Sequence, residues 1–180
     1  VAHRSFLSDF YSGRFPGTFA RGATFQFNPK TNDRRISGSL ASLAGLEVAL
    51  ENGDEAGVKT AVSRILMLHA LIASFGGIPQ LYMGDELGLL NDYQYTDNPD
   101  HANDNRWLHR PLMDWEAAAQ RHDKTTVAGQ IFSGIQQILQ ARRQTFTLHS
   151  QAQAIPVWAN NDHVFALLRQ SPRGTAHSNR

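Results

Sequence analysis

Apolar positions recur at spacings of three and four in three stretches of the chain. The first runs from Ser39 to about Leu50 and carries Leu40, Leu43, Ala44 and Leu46, predicting a helix that Glu51-Asn-Gly-Asp54 interrupts. The second places Val58, Val62, Ile65, Leu66 and His69 on one face and predicts a longer helix over 55–74. The third carries Val127, Ile131, Ile135, Ile138 and Leu139 to about Gln144, with Thr125 or Thr126 as its cap. His69, alone on an apolar face, reads as a packed, hydrogen-bonded core histidine.

A different pattern follows the second helix. Gly76-Gly77 supplies the left-handed residue that ends helices, and Ile78-Pro-Gln-Leu-Tyr-Met83 then predicts a short buried strand with Asp85 and Glu86 at its end. Helix, Gly-Gly, strand and acidic strand end is the rhythm of a parallel α/β unit, in which the strand end is the functional face. Residues 154–158 and 163–168 alternate as two further strands joined at Asn160-Asn-Asp162, a hairpin that departs from this rhythm.

Two long segments lack periodicity. Residues 1–38 predict a short aromatic helix with Ser5 as its cap, then mainly loop, with turns at Asn28-Pro29 and Thr31-Asn-Asp33. Residues 87–124 are polar, but Tyr93, Tyr95, Trp107 and Trp115 favour an ordered insertion over disorder. The fold class expected from this pattern is α/β, with a boundary near 146 where a β-rich region begins.

Composition narrows the chemistry. The 17 basic residues nearly match 16 acidic ones, and no dense basic tract suggests a nucleic-acid partner. With no cysteine, disulfides, thiolate metal sites and cysteine nucleophiles are excluded. The apolar run 65–78, interrupted by His69, Ser74 and the Gly pair, is too short to span a bilayer, so no membrane partner is expected. No cofactor motif occurs: the phosphate-loop and nucleophile-elbow patterns are absent, and the histidines lack metal-ligand spacing. Asp97, Asp100 and Asp104 imitate part of a calcium loop without its Gly and terminal Glu.

What remains looks like binding without catalysis. Arg106 offers a planar fork of donors, Asp104 an acceptor and Trp107 a flat apolar platform, a combination suited to a neutral sugar. The same Asp104 and Arg106 can instead tie the loop to itself. Asp85 and Glu86, adjacent on a continuing strand, would point to opposite faces unless the chain turns between them.

Gly76-Gly-Ile-Pro-Gln-Leu-Tyr-Met-Gly-Asp-Glu86 resembles the eighth-strand region of the α-amylase superfamily, glycoside hydrolase family 13. Phe25-Gln-Phe-Asn-Pro29, Arg35-Ile-Ser-Gly38, Leu90-Asn-Asp92 and Asn105-Arg-Trp-Leu-His-Arg-Pro111 resemble the amylosucrase group within it. The resemblance runs from Val1 to about residue 169. It implies a bacterial enzyme, cytoplasmic or secreted, that takes glucose from sucrose onto an α-1,4-glucan acceptor by double displacement and releases fructose. It places the aspartate nucleophile, glutamate acid/base and third aspartate before Val1; His122-Asp123 follows the eighth strand and does not match the family's His-Asp motif. It implies substrate contacts for Arg4, Arg35 and Arg106 and site support from Asp85 and Glu86, with no catalytic residue in this stretch. The resemblance implies residues 1–38 as the remainder of an inserted loop subdomain after the seventh strand, 39–145 as the C-terminal part of a TIM (β/α)₈ barrel with its eighth strand, and 146–180 as the start of an antiparallel β-sandwich domain. A sucrose hydrolase and a non-catalytic carbohydrate-binding or structural module are the other expectations.

Overall fold

Ser39 starts the first core helix by accepting the amide of Ser42 at 3.2 Å, satisfying one of the donors a helix start leaves free. That helix does not run unbroken to residue 50. Gly45 sits at φ 101°, a left-handed conformation that ends one helix and opens the next. In the computed structural model, which describes residues 2–31 and 33–171, the helices are α1 (Ala2–Tyr11), α2 (Leu40–Ala44), α3 (Leu46–Glu51), α4 (Glu55–Ser74), α5 (Trp115–Ala119) and α6 (Val127–Gln144).

Aspartates and a threonine set the other starts. Asp54 accepts the Gly57 amide at 2.9 Å before α4, Asp114 accepts those of Glu116 and Ala117 before α5, and Thr126 accepts that of Gly129 at 3.0 Å before α6. Thr126, not Thr125, is therefore the cap of α6. The same device opens 3₁₀ turns at Tyr93–Asp97 and Asn105–His109, capped by Asp92 and Asp104. The 87–124 insertion is thus ordered by a series of short capped turns. Ser5 caps nothing, because α1 already begins at Ala2.

The strands are few and antiparallel. β1 (Ala23–Asn28) pairs with β2 (Asp33–Ser37), and β3 (Gln153–Val157) pairs with β4 (Ala166–Gln170). The first hairpin lies where the sequence suggested mainly loop; the second matches the expected pair with its return strand shifted toward the C-terminus. The fold is mixed helix and small antiparallel sheets.

The strand expected at 78–83 is not formed. Among the described residues no neighbour pairs with it, and Ile78 is 87% exposed, with Leu81, Tyr82 and Met83 also exposed. A strand is stabilised by ladder bonds and by covered faces, and this segment has neither. The chain turns after it: Gly84 at φ 91° opens a 3₁₀ turn at Asp85–Leu87, so Asp85 and Glu86 do not continue a strand.

The chain divides into two compact units. The first comprises residues 1–66 and 81–133, with Leu46, Ile65, Leu108 and Ile131 fully buried at its centre. The second comprises residues 67–80 and 134–180. In it Ala73, Ile135 and Ala152 are buried, and Arg142 ties the helix end by donating to the carbonyls of Ala73 and Gly77. His69 is buried there too, at 3% exposure, but both ring nitrogens lack a hydrogen-bond partner. The expectation of a hydrogen-bonded core histidine is therefore corrected: burial is as read, pairing is not.

The expectation about membrane length also needs correction. α4 has 20 residues and by length and composition alone is long and apolar enough to cross a bilayer. Ala61, Val62, Ile65, His69 and Ala73 on it are buried, while Met67, Leu71 and Ile72 are exposed.

Candidate functional site

The first hairpin and the Asn105 turn create the main polar cleft. β1 carries a bulge between Phe25 and Asn28, and Gln26 takes φ 49°, a conformation side-chain-bearing residues rarely adopt. The bulge sets Gln26 beside Phe25 in the wall of a cleft of about 670 Å³, completed by Arg35 from β2 and by Asn103, Asp104 and Arg106. This volume lies within the range of small-molecule sites.

Arg35 and Arg106 therefore come together from distant parts of the sequence. Arg106 forms a bidentate pair with Asp104, Nη2 to Oδ2 at 2.6 Å and Nε to Oδ1 at 2.7 Å. Hydrogen bonds from the Arg106 side chain and backbone hold the Asp104 carboxyl down at about 2, and Asp104 in turn raises the Arg106 guanidinium. Of the two readings of this pair, self-tethering of the loop is present. Its outer donors and lone pairs still line the cleft.

Trp107 is placed differently from a sugar platform. His101 stacks on its ring at 3.7 Å and 16°, and the Arg110 guanidinium lies 5.4 Å from its centre. Arg4 also stands apart: it is exposed, lies 3.8 Å from Asp33 and does not line the Arg35–Arg106 cleft.

Asp85 lines a second cleft of about 340 Å³ with Tyr82 and His109, walled by Leu40, Leu43 and Leu89. Burial pushes its carboxyl up to about 6; the Tyr82 backbone bond opposes this and the Glu86 charge adds to it. Burial also lowers His109, with the Arg110 charge adding to the effect. Glu86 turns back on its own loop, its Oε2 accepting the Gly84 amide at 3.0 Å.

No protein-family model matches the chain. The resemblance read from its motifs therefore has no support from that comparison.

Several residues that shape the clefts escaped the sequence reading. Asn91 is a hub: its Oδ1 accepts the Ser39 amide at 2.8 Å, its Nδ2 donates to the Arg21 carbonyl at 2.8 Å, and its own amide donates to Ser42 Oγ at 2.9 Å. Beside it, the Tyr93 hydroxyl donates to Glu47 Oε1 at 2.6 Å. Glu47 is 5% exposed, and its Oε2 has no partner. Burial and the bond to Glu47 push the Tyr93 hydroxyl up to about 12. Ser37 Oγ donates to the Asn105 carbonyl at 3.1 Å and lies 2.8 Å from His109 Nδ1, linking β2 to the loop that carries Arg106. A glutamate inside the apolar run 46–50 was a visible signal; Asn91 and Ser37 stood inside segments singled out for resemblance, but nothing local marked their bonding roles. Among the described residues, no three His, Asp or Glu side chains form a metal set.

Proposed function

We propose that this chain belongs to a sugar-acting enzyme of the α-amylase superfamily, most like the amylosucrases, and that it supplies substrate contacts rather than the bond-breaking groups. The observation that carries the reading is the meeting of Arg35 and Arg106 in one cleft with Asp104, Asn103 and Gln26. Fixed donors and acceptors side by side suit the vicinal hydroxyls of a glucosyl unit. In this reading residues 39–145 form the C-terminal part of a (β/α)₈ barrel, and 78–83 is a strand once parallel neighbours cover it. Its apolar side chains support that role.

The parent reaction would be retaining transfer of glucose from sucrose to an α-1,4-glucan through two carboxylates. Asp85 and Glu86 are not arranged for it: Glu86 is folded onto the Gly84 amide and Asp85 lies in a separate, apolar-walled cleft. The chain's part is to hold and orient, with Arg35 and Arg106 as its substrate contacts.

The test is titration of the 180-residue chain with maltooligosaccharides, followed by amide chemical shifts. Shifts confined to residues 25–26, 35 and 103–106, weakened in Arg106→Ala, are expected, with no fructose released from sucrose. Unchanged shifts at those residues would remove the reading. Fructose release that survives purification and falls in Arg106→Ala would show that the chain holds catalytic groups. With the upstream barrel joined, insoluble glucan from sucrose separates transfer from hydrolysis, which gives equimolar glucose and fructose.

A further inference from the structure

We infer that Asn52 is a site of spontaneous covalent modification, where the side-chain amide is lost and the backbone is partly rerouted through isoaspartate. Asn52-Gly53 is the only Asn-Gly step in the chain; every other asparagine precedes Pro, Asp, Arg or Asn. The nucleophile is the backbone nitrogen of residue 53 after loss of its proton. It attacks Asn52 Cγ, a carbon–nitrogen bond forms, the bond from Cγ to the side-chain nitrogen breaks, and ammonia departs with a proton from solvent. Water then opens either carbonyl of the resulting five-membered imide, giving isoaspartate or aspartate. One water enters, one ammonia leaves, and nothing is oxidised or reduced.

The local structure favours this position over the other described asparagines. Asn52 and Gly53 are both exposed, at the turn that closes α3. Gly53 has φ 62°, and nothing lies within 4 Å of where a β-carbon would stand, so no side chain crowds the approach of its nitrogen to Asn52 Cγ. Among the described residues the Asn52 side chain makes no hydrogen bond. Asn91 is the contrast, its amide clamped by the Ser39 amide and the Arg21 carbonyl. Asn28 and Asn98 precede prolines, which have no N–H to give up.

One restraint must be released first. The Gly53 amide donates to the Leu50 carbonyl at 3.2 Å, and Asn52 has ψ −4°, so attack requires this exposed last turn to fray. Helix ends open at little cost. The product takes the formal net charge from +1 to 0, as +1 − 1 = 0. It also puts a carboxylate at a helix C-terminus, where the macrodipole disfavours it, between Glu51 and Asp54. Glu51 holds Arg21 at 3.2 Å, and the same helix carries Glu47, so the change falls on the element that anchors Tyr93.

The experiment is a time course of the full 180-residue chain at mildly alkaline pH, with and without urea, read by tryptic peptide mass and isoaspartate assay. Residues 36–59 form one tryptic peptide in which Asn52 is the only side-chain amide, so any gain from amide to acid is assigned without ambiguity. The expected result is conversion at Asn52 ahead of Asn103, Asn160 and Asn161, with isoaspartate exceeding aspartate and a rate proportional to hydroxide. Gly53→Ala should slow it to the level of those asparagines, and Asn52→Gln should abolish it, with or without urea. Conversion no faster than at Asn161, insensitivity to Gly53→Ala, or conversion seen only in urea would each overturn the proposal.

Discussion

Replacing Asp85 by Asn should make the protein more stable at pH 8 and leave it unchanged near pH 4. Burial raises the Asp85 carboxyl from 3.8 to about 6. A carboxyl raised on folding favours the folded state most when protonated. That contribution is complete below about pH 4 and is lost as pH rises through about 6. Moving the carboxyl from 3.8 to about 6 corresponds to about 3 kcal/mol. The group is only partly buried and water screens it, so about half of that, ~1.5 kcal/mol, is the expected gain. Asn keeps an oxygen to accept the Tyr82 backbone bond while removing the charge. Urea unfolding of both forms at about pH 4 and about pH 8 measures the difference, and other titrating groups cancel between them. A less stable Asn variant at pH 8, or a gap of equal size at both pH values, would refute the argument, because either result means the ionised carboxylate is not costing stability.

Three further substitutions test other parts of the account. Tyr93→Phe removes the one hydrogen bond of buried Glu47 and should cost about 1–3 kcal/mol in urea unfolding, whereas Tyr82→Phe should cost little. His69→Leu removes two buried, unpaired ring nitrogens and should raise stability by about 1–2 kcal/mol at neutral pH. Because burial lowers the His69 pKa, its contribution is present above the ordinary histidine range and lost as pH falls through the lowered value; the Leu variant should show a shallower loss in acid. Thr126→Ala removes the cap on the Gly129 amide and should lower stability by about 1 kcal/mol, with helix loss by circular dichroism on melting.

The helices were readable because each is a local object. Periodicity placed α4 at its true bounds, and Gly76-Gly77 ended it; the break at Gly45 was missed because the apolar pattern runs straight across it. Strands failed for a different reason. Residues 78–83 have the composition of a buried strand, yet a strand exists only with a neighbour, and among the described residues none pairs with it. The 23–37 hairpin was missed in the opposite sense. Its turn at Asn28-Pro29 was read, and Ala23–Asn28 even alternates apolar with polar residues; what no local pattern shows is the pairing with Asp33–Ser37 and the left-handed bulge at Gln26. At the site, Asp104 and Arg106 were found by chemical type and Arg35 through the resemblance, while the residues that bring them together were not.

That division follows from how the site is built. The core is built on buried Leu46, Ile65 and Ile131, which sequence periodicity reports directly, and on Leu108 from the aperiodic insertion, which it does not. The polar cleft is held by specific bonds: Ser37 to the Asn105 carbonyl, Asn91 to Ser39 and Arg21, Tyr93 to Glu47, Asp104 to Arg106. The bonds of Ser37, Asn91 and Tyr93 are part-buried; each is worth about 1 kcal/mol net, but losing one leaves a desolvated partner behind, so the loss exceeds the gain. Apolar packing spreads its energy over many atoms and tolerates exchange of similar side chains. Hydrogen-bonded loops concentrate it in a few groups that no neighbour can replace. A single polar substitution at Asn91 or Ser37, neither of which lines the Arg35–Arg106 cleft, should therefore disturb the cleft more than a conservative exchange in the core would.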